Sequence, residues 1–229
     1  MTRSSAKKKD LWWRKKIISL THMCHRKRLV RRLTNHALSI LSLDCTGGVM
    51  AHELRLQFKS PTVNLFFESC ADFICYVENL SYYATAEVCE LPYGQEGDRR
   101  YPIGALSGNG TLPDIKLHFL HYHTSEEARD KWVERSARLD FSNLCVVMQA
   151  AAFDQGLLKR FERLPMARKV VLAYEKSCSV ESPLIFKMRS LDAFVPGRIL
   201  DYNGLSGRRY LDDFDYVAFL NDGTIRAAK

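Results

Sequence analysis

Several things are missing from this 229-residue chain, and each absence narrows what it can be. No apolar run approaches the roughly 20 residues that span a bilayer. The N-terminus is charged and lacks the apolar stretch and cleavage site of a signal peptide, which points to the cytosol. No Cys-x-x-Cys pair occurs among the seven cysteines, and their number is odd. A zinc ribbon and a disulfide framework are therefore not suggested. Neither Gly-x-Gly-x-x-Gly nor a phosphate loop is present, so no common nucleotide fingerprint appears. Internal repeats are also lacking.

What is present is 46% hydrophobic residues, enough for a full core, and a net charge of +8 that is unevenly placed. Residues 1–36 hold twelve Lys or Arg and the single acid Asp10, so they carry +11 and leave −3 for the rest. Residues 1–36 thus form a basic leader and residues 37–229 a single domain. Residues 1–10 read as disordered. Residues 11–36 read as a basic amphipathic helix with Trp12 and Trp13 near its start. Such a helix suits an anionic membrane surface. A solvated helix packed on its own domain fits equally well. A basic leader without a nucleic-acid fold argues little for nucleic acid.

From residue 37 the pattern alternates. Near-continuous apolar strands are expected at 38–43, 62–67, 87–91, 114–121, 143–148 and 168–173, as in strands covered on both faces. Helices are expected at about 47–56, 70–83, 125–138 and 154–163. Thr124 and Glu127 form a capping box, Asp154 is an N-cap, and Pro165 stops the last helix. Glu127–Lys131 and Glu134–Arg138 have ion-pair spacing. This order predicts an α/β fold: a layered α/β/α sandwich with a mostly parallel, Rossmann-like sheet. Two irregular stretches, 92–113 and 176–210, are candidate cleft walls, the first long enough to conceal a hairpin.

The most informative phrase is Ser42-Leu43-Asp44-Cys45-Thr46-Gly47-Gly48. It reads as a strand end, a turn and a helix start, where α/β sheets bind ligands. Backbone N–H groups of Thr46, Gly47 and Gly48 could hold an anion there. Cys45 is a candidate nucleophile, or a small residue that fits a tight turn. Asp44 could orient a base, bind a sugar hydroxyl or cap the helix through an Asx turn. His52 lies seven residues along the helix, about 10 Å of rise, and is too far to serve as the base for Cys45.

A base must therefore come from another element, and His121 is the candidate. On a strand ending near 121, His121 and His123 share one face and His118 the other. His-x-His could chelate a metal, but no third ligand is evident, so no metal is assigned. His118 reads as a satisfied core histidine. Arg135 could meet an anionic donor or sit in a salt bridge. Asp212, Asp213 and Asp215 read as a solvated turn.

Six phrases in order resemble a bacterial domain family of unknown function associated with exopolysaccharide biosynthesis. They are Ser42–Gly48, Ser60–Phe66, Asp72-Phe73, Tyr101–Gly104, His118–Tyr122 and Lys131–Arg135, and the resemblance covers about residues 37–221. The family phrase is Ser-Asn-Asn-Cys-x-Gly-Gly, whereas this chain carries Leu43 and Asp44 in place of the two asparagines. The resemblance implies work on cell-surface glycans. The expectation is a transferase acting on a glycan precursor or nucleotide sugar, peripheral at the cytoplasmic membrane face. Cys45 and His121 would react, and Asp44, Thr46, Gly47, Gly48, Asn64, Tyr122 and Arg135 would bind. The alternatives are a non-catalytic binding protein of the same machinery and a thiol-dependent hydrolase of acylated sugars. No cofactor is identified.

Overall fold

The computed structural model describes residues 3–150, 153–176 and 178–228, with the side chains of 3–11 excepted. Met1 and Thr2 of the leader and Ser177 of the second irregular stretch lie outside the described residues. Four apolar segments form a parallel sheet in the order β1 (Ser39–Ser42), β6 (Leu144–Ala150), β7 (Arg168–Tyr174), β8 (Ile185–Met188). The four strands between β1 and β6 pair differently. β2 (Phe66–Phe67), β3 (Val88–Glu96), β4 (Arg99–Leu106) and β5 (Ile115–His118) form a separate antiparallel sheet ordered β2-β5-β4-β3. The protein is a mixed α/β fold, with the parallel half as expected and the rest not part of the same sheet. The reason is local: Gly97 at φ 59° turns the 92–113 stretch into the β3–β4 hairpin, which commits its neighbours to antiparallel pairing.

Both faces of the parallel sheet are buried, and side chains alternate between two cores. Val146, Met148, Val171 and Ala173 face one core. They meet Phe67 of the antiparallel sheet, α3 (Cys70–Glu78) through Phe73 and Tyr76, and α5 (Ser125–Ser136) through Trp132. Cys145, Val147, Val170, Leu172 and Tyr174 face the other. That core is closed by α1 (Arg3–Arg32) through Leu29, α2 (Thr46–Glu53) through Met50, and α7 (Tyr216–Asp222) through Phe219. The remaining elements are α4 (Leu80–Tyr83), α6 (Gln155–Arg163) and two 3-10 helices, Arg198–Leu200 and Tyr210–Asp213.

The capping residues behave as their chemistry dictates. Thr124 accepts the Glu127 N–H at 3.1 Å and Asp154 accepts the Leu157 N–H at 2.8 Å. Glu127 in turn takes the His123 N–H rather than pairing with Lys131, which instead pairs with Glu134. The segment expected to be one strand over 114–121 stops at His118. His121 and His123 therefore lie on a turn, and the two-face alternation does not extend to them. His118 is a satisfied core histidine, stacked on Phe66 at 4.3 Å and 2.9 Å from Glu68.

The leader is helical from Arg3, including most of the stretch expected to be disordered. Its second half is fastened to the body by buried carboxylates. Glu53, 4% exposed, lies 3.1 Å from both His22 and Arg209. Asp212 lies 3.0 Å from His25. Asp215 takes Arg32 at 2.5 Å and Arg226 at 3.1 Å. The 212–215 acids are thus mostly a buried clamp and not a solvated turn, because helix α1 supplies their counter-charges from almost two hundred residues away in the chain. No described helix is long and apolar enough to cross a membrane.

Burial pushes the Asp215 carboxyl up, but Arg32, the Ala218 N–H and Arg226 outweigh it and hold it below the usual carboxylate range. A depressed carboxylate stabilises the fold above its unfolded pKa and loses that contribution as pH falls through the folded one. Asp215→Asn keeps the N-cap of α7 and removes the charge. It is expected to cost about 3 kcal/mol at pH 7. The gap to the parent should shrink in urea titrations as pH falls through the folded-state pKa, where the parent itself becomes protonated.

Candidate active site at the end of the first strand

The chain leaves β1 through a turn held by its own side chains. Ser42 donates its hydroxyl to the Asp44 carbonyl at 2.6 Å and accepts the Gly47 N–H at 3.1 Å. Asp44 accepts the Thr46 N–H at 2.9 Å, the Asx turn that its residue type allows. The Thr46 and Gly47 amides are therefore engaged within the turn and are not available as an anion cradle. The glycines serve close approach instead. A Cβ on Gly47 would stand 2.6 Å from Ser42 Oγ, and one on Gly48 would stand 3.1 Å from Val63 Cγ1. Thr46 is buried and directed towards Gln149, which itself hydrogen-bonds Tyr174.

The segment after the turn fixes its position. Thr62 Oγ1 accepts the Ser42 N–H at 2.9 Å, and the Phe67 N–H donates to the Leu43 carbonyl at 2.9 Å. The Cys45 thiol is directed at the Leu65 carbonyl, 3.9 Å away. Asn64 adopts a left-handed backbone at φ 67° and accepts the His121 N–H at 3.3 Å. Asn64 and His121, 57 residues apart in number, are thereby brought to the same rim as Cys45.

Tyr122 and Arg135 have a different task. Tyr122 donates to the Val63 carbonyl at 2.9 Å and accepts from Arg135 at 2.5 Å. Arg135 is only 9% exposed and packs over the rings of Phe58 and Tyr122. Both residues brace the 58–64 segment from behind and do not reach the open rim. Among the described residues, their side-chain hydrogen bonds go to the Val63 carbonyl and to each other, which suits a positioning role.

Electrostatics sharpen the site. Burial, with the Asp44 charge beside it, pushes the Cys45 thiol up to about 12, only partly countered by Arg99. A thiol so placed is almost wholly protonated at neutral pH and is a poor nucleophile. Burial also raises Asp44, against its hydrogen bonds from Thr46. Cys70, at the start of α3, is raised to about 11 by burial and by Asp44. His121 is lowered by burial and by Arg99, with Glu96 acting the other way. Arg99 and Glu96 flank the tip of the β3–β4 hairpin and were not singled out in the sequence. Only their place in the 92–113 stretch, a candidate cleft wall, signals them. No group of three or more metal-ligating side chains occurs among the described residues.

The chain is a mixed α/β protein in which Asp44 and Cys45 follow a parallel strand and His121 is tied to Asn64, next to the Leu65 carbonyl that the Cys45 thiol faces. The chain belongs to the family described as a domain of unknown function (DUF1919), whose model matches residues 16–221. An uncharacterized protein of Haemophilus influenzae is 31% identical to it over 196 residues, 85% of this chain and 89% of that protein.

Two outcomes are expected. Gly47→Ala must displace Ser42 and should lower unfolding stability by about 2 kcal/mol in chemical denaturation. Iodoacetamide at pH 7.5 should modify the exposed Cys24 and Cys89 well before Cys45, as read by peptide mass spectrometry.

Proposed function

We propose that the protein transfers a group to or from a glycan precursor, working peripherally at the cytoplasmic membrane face, with the Asp44–His121–Arg99 rim as its site. The observation that carries this reading is the convergence on one rim. The charge of Arg99 acts on both His121 and Cys45, while His121 is tied to Asn64. The glycan substrate class rests on the resemblance of the six ordered phrases to a family of unknown function associated with exopolysaccharide biosynthesis. The exposed Trp12 and Trp13 on a basic helix support proximity to an anionic surface.

In this scheme His121, whose neutral form is favoured by burial and by Arg99, accepts the proton of the acceptor hydroxyl. The hydroxyl oxygen bonds to the sugar carbon as the bond to the donor phosphate breaks and the electron pair leaves on phosphate. Arg99 meets that growing negative charge. Asp44 keeps one oxygen on the Thr46 N–H, and its other oxygen accepts a sugar hydroxyl. Cys45 lines the wall. Its raised pKa weighs against the thiol-dependent hydrolase.

The test is a thermal-shift screen of nucleotide sugars and sugar phosphates, followed by turnover with any hit. His121→Gln is expected to lower turnover at least about 100-fold with binding retained, whereas Cys45→Ala should keep most of it. The rate should rise with pH through an acid limb placed lower than a free imidazole would give. Arg99→Gln removes a positive neighbour and should move that limb to higher pH. Binding without turnover would assign the non-catalytic reading. Full turnover in His121→Gln would overturn the site.

A further inference from the structure

A second feature lies apart from this rim and shares no residue with it. Helix α1 and the C-terminal segment enclose a cavity of about 760 Å³. Its walls include Arg28 and Arg32 of α1, Arg208, Arg226, and the buried Asp212 and Asp215. Four arginines against two aspartates leave an excess of two positive charges among these six side chains. Arg32 and Arg226 converge on Asp215. The Arg208 guanidinium donates only to the Asp212 carbonyl, and Arg28 makes no ion pair, among the described residues. A phosphate monoester carries about −1.5 to −2 at neutral pH, which matches this excess. Guanidinium groups are the side chains best shaped for such an anion.

The cavity wall also has an apolar part. Leu20 and Cys24 belong to it. Successive steps of three and four residues along α1 extend that line outward through Leu20, Ile17 and Trp13. These three are 56%, 41% and 56% exposed. A polar, positive pocket continuous with an exposed apolar stripe is complementary to an amphiphile whose head is anionic.

We propose that this cavity binds a phosphate group carried on an apolar chain, with Arg28 and Arg208 on the phosphate and the chain lying along Leu20, Ile17 and Trp13. The site stands whether or not the Asp44 rim reacts. It gives the leader a specific ligand in addition to any general attraction to an anionic surface.

The full chain would be titrated calorimetrically with octyl phosphate below its micellar concentration and, separately, with inorganic phosphate. Octyl phosphate is expected to bind one to one and at least tenfold more tightly than phosphate. Arg28→Gln, which breaks no ion pair, should weaken both ligands about tenfold while leaving the melting temperature unchanged. Leu20→Ser should weaken octyl phosphate alone. His121→Gln should leave both affinities as they are, which separates this site from the proposed transferase rim. Equal affinity for the two ligands would assign the cavity to free phosphate esters and overturn the lipid assignment. Absence of binding, or binding indifferent to Arg28→Gln, would overturn the site altogether.

Discussion

Burial of the parallel sheet on both faces is the constraint from which the rest of the structure follows. β6 is buried along its whole length and β7 over most of its own, so neither can leave a backbone group unpaired or an apolar face uncovered. Flanking strands satisfy the backbone, and two unlike layers satisfy the faces. The antiparallel sheet with α3, α5 and α6 covers one, and α1, α2 and α7 cover the other. The 66–118 insertion is therefore not an ornament on an α/β core. It supplies one wall of that core and, at its hairpin tip, Arg99 and Glu96 of the candidate site.

The same constraint explains where charge is buried. A leader with eleven excess positive charges would gain little by packing on an apolar layer alone. The body offers Glu53, Asp212 and Asp215 at the places where α1 lies down, and histidines and arginines of the helix meet them. Pairing removes the desolvation penalty that isolated carboxylates would carry. It also fixes the helix in one register, so that Arg28 and Leu20 open onto the cavity beside the clamp.

At the end of β1, structure and chemistry are interlocked. Ser42, Asp44 and the two glycines use most of their capacity to shape the turn, and Tyr122 with Arg135 holds the facing segment. What remains open is one Asp44 oxygen, His121 and Arg99. Burial sets their acidities in opposite directions from those of free side chains, raising the carboxyl and lowering the imidazole. The shift of each arises from its neighbours and not from its residue type.

Apolar continuity in 143–148 and 168–173, the Thr124 and Asp154 caps and the turn at Asp44–Gly48 were legible in the amino-acid sequence, because each depends on residues a few positions apart. Asn64 and His121 could be singled out as residues, and so could the 92–113 stretch as a wall. The sequence could not say that half the strands would pair antiparallel, since periodicity does not reveal a strand's partner. Nor could it show that Arg135 braces a segment 72 residues away or that Asp215 meets Arg32 across 183. Local propensity and patterning determined the elements and the turn. Only the tertiary structure decided which polar groups are left facing outward, because that depends on which long-range partners have already taken the others.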